Sequence, residues 1–257
     1  MSIRLRQICL VAEKLVPVAN DLKSIFALEV CFVDPAVKVF GLENSLFPIG
    51  NNFLEVVSPI QDNTAAGRYI KRRLGDGGYM VICQCDTLET QAARKARALE
   101  LGVRIAFEEE EKNFHVMQLH PADTGDAFFE LDWDAKMEPE GNWGPAGGNT
   151  WPTYKRQKII TDYTAVELQS PDPQSLAERW SNIAEIPLRR DAQGRMEIPL
   201  TNAAVRFVEM SDGRGEGLGG IDIKVADRGW LLRTAEDRGC RVSDDQVMVC
   251  GVRFTLV

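Results

Sequence analysis

Two short stretches, FLEVV at residues 53–57 and FFELD at residues 128–132, decide the fold of this chain. Each is an apolar, aromatic run with one glutamate in its middle, Glu55 in the first and Glu130 in the second. Such runs predict β-strands, whose side chains alternate between the two faces of a sheet. Each glutamate then either points to solvent from an edge strand or is buried and needs a partner that compensates its charge.

The two stretches close two copies of a longer repeat. RQICLVAEKL (6–15) resembles YMVICQCDTL (79–88), and each predicts a strand that leads into a helix. Weaker copies begin at TAVELQS (164–170) and at GIDIKVAD (220–227). Each unit is predicted as one strand, one helix and three further strands. Four such βαβββ units predict an α+β protein with two tandem domains.

The repeats divide the chain into two domains and a linker. Residues 1–135 form the first domain, which carries the candidate site, and residues 136–159 form a linker rich in Gly and Pro and anchored by Trp143 and Trp151. Residues 160–257 are predicted to be a second, degenerate domain, because the positions equivalent to the candidate site lack ligands for a hard metal. These positions fall near Ala165, Phe207 or Val208, Gly220 and Thr255.

Composition favours a small molecule as the main partner. The 257 residues carry a formal net charge of −8 and give an isoelectric point near 5.0, whereas nucleic acid and anionic membrane surfaces attract clustered Lys and Arg. The N-terminal segment has no long apolar run, so a cytoplasmic protein is expected. The six cysteines lack CxxC spacing and are expected to be reduced and structural.

Paired βαβββ units with a carboxylate near the end of each last strand resemble the vicinal oxygen chelate superfamily. This superfamily includes glyoxalases, methylmalonyl-CoA epimerases, ring-cleaving dioxygenases and bleomycin-resistance proteins. HPADTGDAFFELDW (120–133) is particularly similar to the epimerases. The resemblance implies that two units wrap a mixed, eight-stranded sheet into a U-shaped cleft, and that the first and last strands of each unit provide metal ligands.

Carried onto this sequence, the resemblance implies a divalent metal site, for Zn²⁺, Ni²⁺, Co²⁺ or Mn²⁺, with Gln7, Glu55 and Glu130 as ligands. The fourth position falls on Met80, or on Tyr79 if the register slips by one residue, and a thioether is a poor ligand for these ions among oxygen donors. With a metal, the protein would be a lyase or isomerase that forms an enolate from a carbonyl or acyl substrate. Glu55 or Glu130 would be the catalytic base.

The alternative is a metal-free protein that binds or sequesters a small molecule, as bleomycin-resistance proteins do. Phe53, Phe128 and Met80 would then line an apolar pocket, and the glutamates would recognise a cationic or hydroxyl-bearing ligand. His120 is a candidate for an additional nitrogen in the site, and a structural histidine is the other interpretation. A third possibility is an interaction role with both glutamates paired to arginines. A homodimer is compatible with each.

Overall fold

The computed structural model describes residues 2–257 and contains two seven-stranded mixed sheets. The strands of the first sheet are β1 (Ile3–Val11), β2 (Leu42–Ile49), β3 (Asn52–Pro59), β4 (Gly77–Cys85), β5 (Ile105–Glu110), β6 (Phe114–Leu119) and β7 (Phe128–Asp134). Their order is β2-β3-β1-β4-β7-β6-β5. β1 is parallel to β3, β4 is parallel to β7, and β1 and β4 are antiparallel. The two repeats of the first domain therefore meet at the β1–β4 pair.

The second sheet repeats this arrangement. Its strands are β8 (Ile160–Ser170), β9 (Arg189–Arg190), β10 (Met196–Pro199), β11 (Ala204–Glu209), β12 (Gly217–Val225), β13 (Gln246–Val249) and β14 (Val252–Leu256). Their order is β13-β14-β12-β8-β11-β10-β9, and the antiparallel β8–β12 pair stands at the centre. The prediction of an α+β fold with two tandem domains of βαβββ type is confirmed.

Within residues 2–257, five α-helices complete the fold, and four of them begin at a side-chain cap. They are α1 (Leu15–Ile25), α2 (Ala65–Arg73), α3 (Leu88–Glu100), α4 (Pro173–Ala184) and α5 (Arg228–Asp237). The side chains of Thr64, Thr87, Asp172 and Asp227 accept a hydrogen bond from a backbone N–H of the first turn of α2, α3, α4 and α5. A Ser, Thr or Asp in this position stabilises a helix by about 1 kcal/mol.

Each sheet has seven strands rather than the eight implied by the family resemblance. In the first domain the missing strand is reduced to one bridge, between Phe32 and Leu46. Pro35 follows and opens a 3₁₀ helix (Pro35–Phe40), and a proline cannot donate to a strand ladder. In the second domain the corresponding remnant is a bridge between Arg241 and Val247.

The outer face of each sheet packs into one continuous core that also contains the buried sides of the helices. Ile8 and Leu10 of the first sheet and Val166 and Leu168 of the second belong to this core. β4 and β12 approach so closely that a Cβ added to Gly78 would lie 2.2 Å from Cδ2 of Leu218. The inner faces of the two sheets do not belong to this core and are available for other contacts. Within residues 2–257, no helix has the length and apolar character to span a bilayer.

Candidate functional site

The candidate residues of the first domain lie on the inner face of its sheet, on the central strands β3, β1, β4 and β7. Gln7 pairs with Phe53, and Met80 pairs with Phe128. The strand register thus puts Met80, rather than Tyr79, in the position equivalent to Gln7, and each glutamate follows two residues after the paired phenylalanine. We call this inner face the first cup and define it by Gln7, Phe53, Glu55, Met80, Phe128 and Glu130.

The first cup is almost closed to solvent. Glu55 is 7% exposed, Glu130 is 5% exposed and Phe53 is fully buried. Both glutamates therefore lie inward from central strands, and neither points to solvent from an edge. Burial of an ionised carboxylate is costly unless other groups compensate it, and the two glutamates are compensated in different ways.

Glu55 is held by a network of amide groups. Its Oε2 accepts a hydrogen bond from Nε2 of Gln7 at 2.9 Å, and its Oε1 accepts one from Nδ2 of Asn44 at 2.6 Å. Oε1 of Gln7 in turn accepts from the indole N–H of Trp143 at 3.0 Å. Burial raises the pKa of Glu55, and the bonds from Asn44 and Gln7 act in the opposite direction. Both of its oxygens thus have donors within the protein.

Glu130 has few such donors and instead lies beside a second acid. Asp132 follows it two residues later on the same face and is fully buried. When both acids are ionised, one oxygen of Glu130, both oxygens of Asp132 and Nε2 of Gln84 make no hydrogen bond among residues 2–257. Gln84 and Asp132 are directly paired across β4 and β7. Four buried polar atoms on neighbouring strands are therefore left unsatisfied.

Burial also shifts the titration of this acid pair. It raises the pKa of Glu130 to about 7, while Asp132 and Gln118 act as hydrogen-bond partners that lower it. Burial, followed by the adjacent Glu130 carboxylate, raises the pKa of Asp132 well above its usual range. Two acids that cannot both ionise in a buried place share a proton. We therefore describe Glu130 and Asp132 as a carboxyl pair with one proton near neutral pH.

The linker covers the first cup with aromatic side chains. Trp143 and Trp151 are fully buried and belong to the same apolar cluster as Phe53 and Met80. The guanidinium of Arg6 lies 5.2 Å from the ring centroid of Trp143 and 5.8 Å from that of Trp151. Burial lowers the pKa of Arg6 to about 10. We call the side chains of Trp143, Trp151 and Arg6 the lid of the first cup.

His120 makes a structural contact and does not belong to the inner face of the first sheet. It is half-buried just after β6, where its Nδ1 accepts a hydrogen bond from the backbone N–H of Ala122 at 3.2 Å. The side chain caps the short helix Pro121–Asp123. The structure thus brings together every predicted site residue except His120. The sequence interpretation missed Asp132 and Gln84, although period-two alternation from Glu130 and from Met80 could have indicated both.

The donors of the first cup do not fit a divalent metal. Gln7 presents its amide N–H group, rather than its oxygen, to Glu55, and that oxygen accepts from Trp143. The Gln7 amide would have to turn over before both side chains could bind one ion. Met80 offers only a thioether. Among residues 2–257, no three His, Cys, Asp or Glu side chains are arranged to hold a metal ion. The side chains of the first cup are therefore not matched to a divalent metal ion.

Comparison with known proteins agrees with the architecture. A family model described as a glyoxalase-like domain matches residues 33–184, which is more than half of the chain. The chain belongs to the glyoxalase-like domain family. This glyoxalase-like protein therefore belongs to the vicinal oxygen chelate superfamily, as the sequence resemblance predicted. None of the curated proteins matches it.

Two solved structures show the same fold across 94% or more of the glyoxalase-like chain. A hypothetical protein from Staphylococcus aureus aligns over 100% of this chain and 99% of its own, with 13% identity and a TM-score of 0.65. A mutant 4-hydroxymandelate synthase from Streptomyces coelicolor aligns over 94% of this chain and 77% of its own, with 18% identity and a TM-score of 0.64. A methylmalonyl-CoA epimerase, solved with methylmalonyl-CoA, covers 54% of this chain and 99% of its own, with 18% identity and a TM-score of 0.46.

Proposed function

We propose that the first cup binds a small molecule without a resident metal ion, and that the ligand presents a hydroxyl or amine to the Glu130–Asp132 pair. The observation that carries this proposal is the set of unsatisfied buried atoms of Glu130, Asp132 and Gln84. Buried polar groups without partners are rare in native proteins, because each costs about 1–3 kcal/mol. A ligand that donates to the carboxyl pair would remove part of this cost.

The side chains around the carboxyl pair favour a particular kind of ligand body. Phe53, Met80 and Ile82 are buried in one apolar cluster, and Phe128 packs against it. An apolar or aromatic body is therefore suited to the cup, while a carboxylate would be repelled by Glu55 and the acid pair. The lid closes this region, and Phe53 packs against Trp151 with a ring-centroid distance of 5.0 Å. A ligand therefore binds only when the linker tryptophans move away and make room for it.

Three benzene derivatives test this proposal, because they share a ring and differ in the polar group attached to it. Benzylamine and benzyl alcohol should bind, raise the melting temperature and change the tryptophan fluorescence, whereas benzoate should do none of these. Glu130→Gln and Asp132→Asn should each weaken benzylamine binding by about tenfold or more, since a charge-assisted hydrogen bond contributes about 1.5–3 kcal/mol. Glu109→Gln, an exposed change on β5, is the matched control.

Two outcomes would refute the binding proposal. The first is equal binding of benzoate and benzylamine, because it would mean that the carboxyl pair does not face the ligand. The second is an unchanged affinity for benzylamine in both acid-pair variants. The Glu109→Gln control should behave as the native protein in each assay.

Proton transfer to or from a bound carbonyl compound is a second candidate function, and the raised pKa of Glu130 favours it. A general acid or base works best when its pKa is close to the working pH, and burial raises that of Glu130 to about 7. The activity would be an isomerase or lyase reaction that needs no metal. Exchange of α-protons of 2-oxo esters and acyl thioesters with D₂O, measured by NMR, tests it. Exchange that persists in Glu130→Gln would contradict this role.

A further inference from the structure

The inner face of the second sheet carries a charged group where the first cup carries Glu55. In the first sheet Glu55 pairs with Cys9 across β3 and β1, and in the second sheet Arg206 pairs with Glu167 across the equivalent strands β11 and β8. Arg206 therefore occupies the position of Glu55. The sequence assignment of this position to Phe207 or Val208 was wrong, because Phe207 lies in the outer core.

Arg206 is held in a fixed orientation by three carboxylates. Its Nη2 donates to Oδ2 of Asp222 at 2.8 Å, its Nε lies 3.2 Å from Oδ2 of Asp191, and its Nη1 lies 3.5 Å from Oε2 of Glu167. Only the bond to Asp222 has hydrogen-bond geometry, and Nε of Arg206 has no hydrogen-bond partner among residues 2–257. The guanidinium is 8% exposed. The Arg206 guanidinium is thus oriented before a ligand binds, and its Nε can still donate a hydrogen bond.

A cavity of about 330 Å³ lies beside this guanidinium. Its walls consist of Thr164, Ala165, Arg189, Glu197, Leu200, Asn202, Ala203, Ala204 and Arg206. Ala165 and Ala204 pair with each other where the first sheet has the larger Gln7 and Phe53. These small side chains leave open a space that Gln7 and Phe53 fill in the first cup while its lid is closed.

The charges in the cavity wall are two guanidinium groups and one carboxylate. Arg189 is 61% exposed, and its Nε lies 2.7 Å from Oε1 of Glu197, which is only 6% exposed. The three carboxylates that hold Arg206 do not line the cavity. Asn202, another residue of the cavity wall, contacts the first domain. Its Oδ1 accepts a hydrogen bond of 2.9 Å from the backbone N–H of Leu5, and its Nδ2 donates one of 2.9 Å to the backbone C=O of Leu5. The cavity is therefore polar and is braced against the first domain.

We propose that this cavity in the second domain binds a small carboxylate that also carries a hydrogen-bond donor, such as a hydroxy acid or an amino acid. Arg189 and Arg206 stand on either side of Glu197 in the register of β9, β10 and β11. The carboxylate of the ligand accepts hydrogen bonds from these guanidinium groups, because their planar geometry matches that of a carboxylate. The hydroxyl or amine of the ligand donates to Glu197. The site differs from the first cup in charge, in openness and in the class of ligand.

The test uses lactate, with lactamide and propionate as matched probes. Lactamide lacks the charge, and propionate lacks the donor. In an NMR titration of the full chain, lactate should give saturable shifts, and both other probes should bind more weakly. Arg189→Gln should weaken lactate binding by about tenfold. Arg190→Gln, an exposed change at the neighbouring position of β9, should leave it unchanged.

Arg206→Lys is a second variant, because it keeps the charge and removes the planar guanidinium. If it folds, it should also weaken lactate binding. Lactate binding that is absent up to high millimolar concentration, equal for lactamide, or insensitive to Arg189→Gln would each overturn the proposal. Loss of binding in Glu130→Gln would overturn it as well, since it would place lactate in the first cup.

Discussion

Replacement of Glu130 by Gln should change how the stability of the protein depends on pH. The folded state raises the pKa of Glu130 from its ordinary value of 4.5 to about 7. Between these values the folded protein keeps a proton that the unfolded chain has lost, so the free energy of unfolding falls as pH rises. Above about pH 7 the full cost of ionising Glu130 is present.

The size of the effect follows from the same shift. One pKa unit corresponds to 1.36 kcal/mol, so the native protein should lose about 3 kcal/mol of stability through Glu130 across this range. Glu130→Gln removes this contribution and should flatten the curve of the free energy of unfolding against pH. It should not flatten it completely, because burial raises the pKa of Asp132 as well.

Urea denaturation, followed by tryptophan fluorescence at a series of pH values from about 4.5 to 8, measures this difference. The matched control is Glu109→Gln, whose side chain is exposed on β5. It should follow the native curve. If the free energy of unfolding of Glu130→Gln falls with pH as steeply as that of the native protein, the buried carboxyl pair does not keep a proton in the folded state.

Two further substitutions test the packing of the chain, one at the β4–β12 contact and one beside the first cup. Gly78→Ala should lower the free energy of unfolding by about 1–3 kcal/mol in urea denaturation, because its Cβ would overlap Leu218 at the β4–β12 contact. Gly215→Ala, with no atom near its added Cβ, should have little effect, and an equal loss in both would contradict the proposed overlap. Trp143→Phe should cost about 1–3 kcal/mol in the same assay, since Oε1 of Gln7 loses its donor; an unchanged stability would contradict this role.

The side of the sheet on which the glutamates lie could be predicted from the sequence, because strand side chains alternate strictly. The alternation in FLEVV and FFELD puts Glu55 and Glu130 on the face of their aromatic neighbours, and both are buried there. The repeats likewise predicted the unit order and the two domains. These features depend on local patterns, which a sequence displays directly.

The partners of the glutamates could not be predicted in the same way. The bonds from Asn44 to Glu55 and from Trp143 to Gln7 join segments that are distant in sequence. Arg206 was missed for a different reason. A shift of one residue in register moves a side chain to the other face of a sheet, and the second domain has no aromatic and glutamate pattern to fix that register.

Metal stoichiometry tests whether the first cup lacks a resident metal ion. The protein should be purified without chelators or metal resins, dialysed against Ni²⁺, Co²⁺, Zn²⁺ and Mn²⁺ in turn, desalted and measured by plasma emission spectroscopy. We expect far less than one metal ion per chain for each ion, with no difference between the native protein and Glu55→Gln. About one ion per chain in the native protein, lost in both Glu55→Gln and Glu130→Gln, would show that the first cup is a metal site.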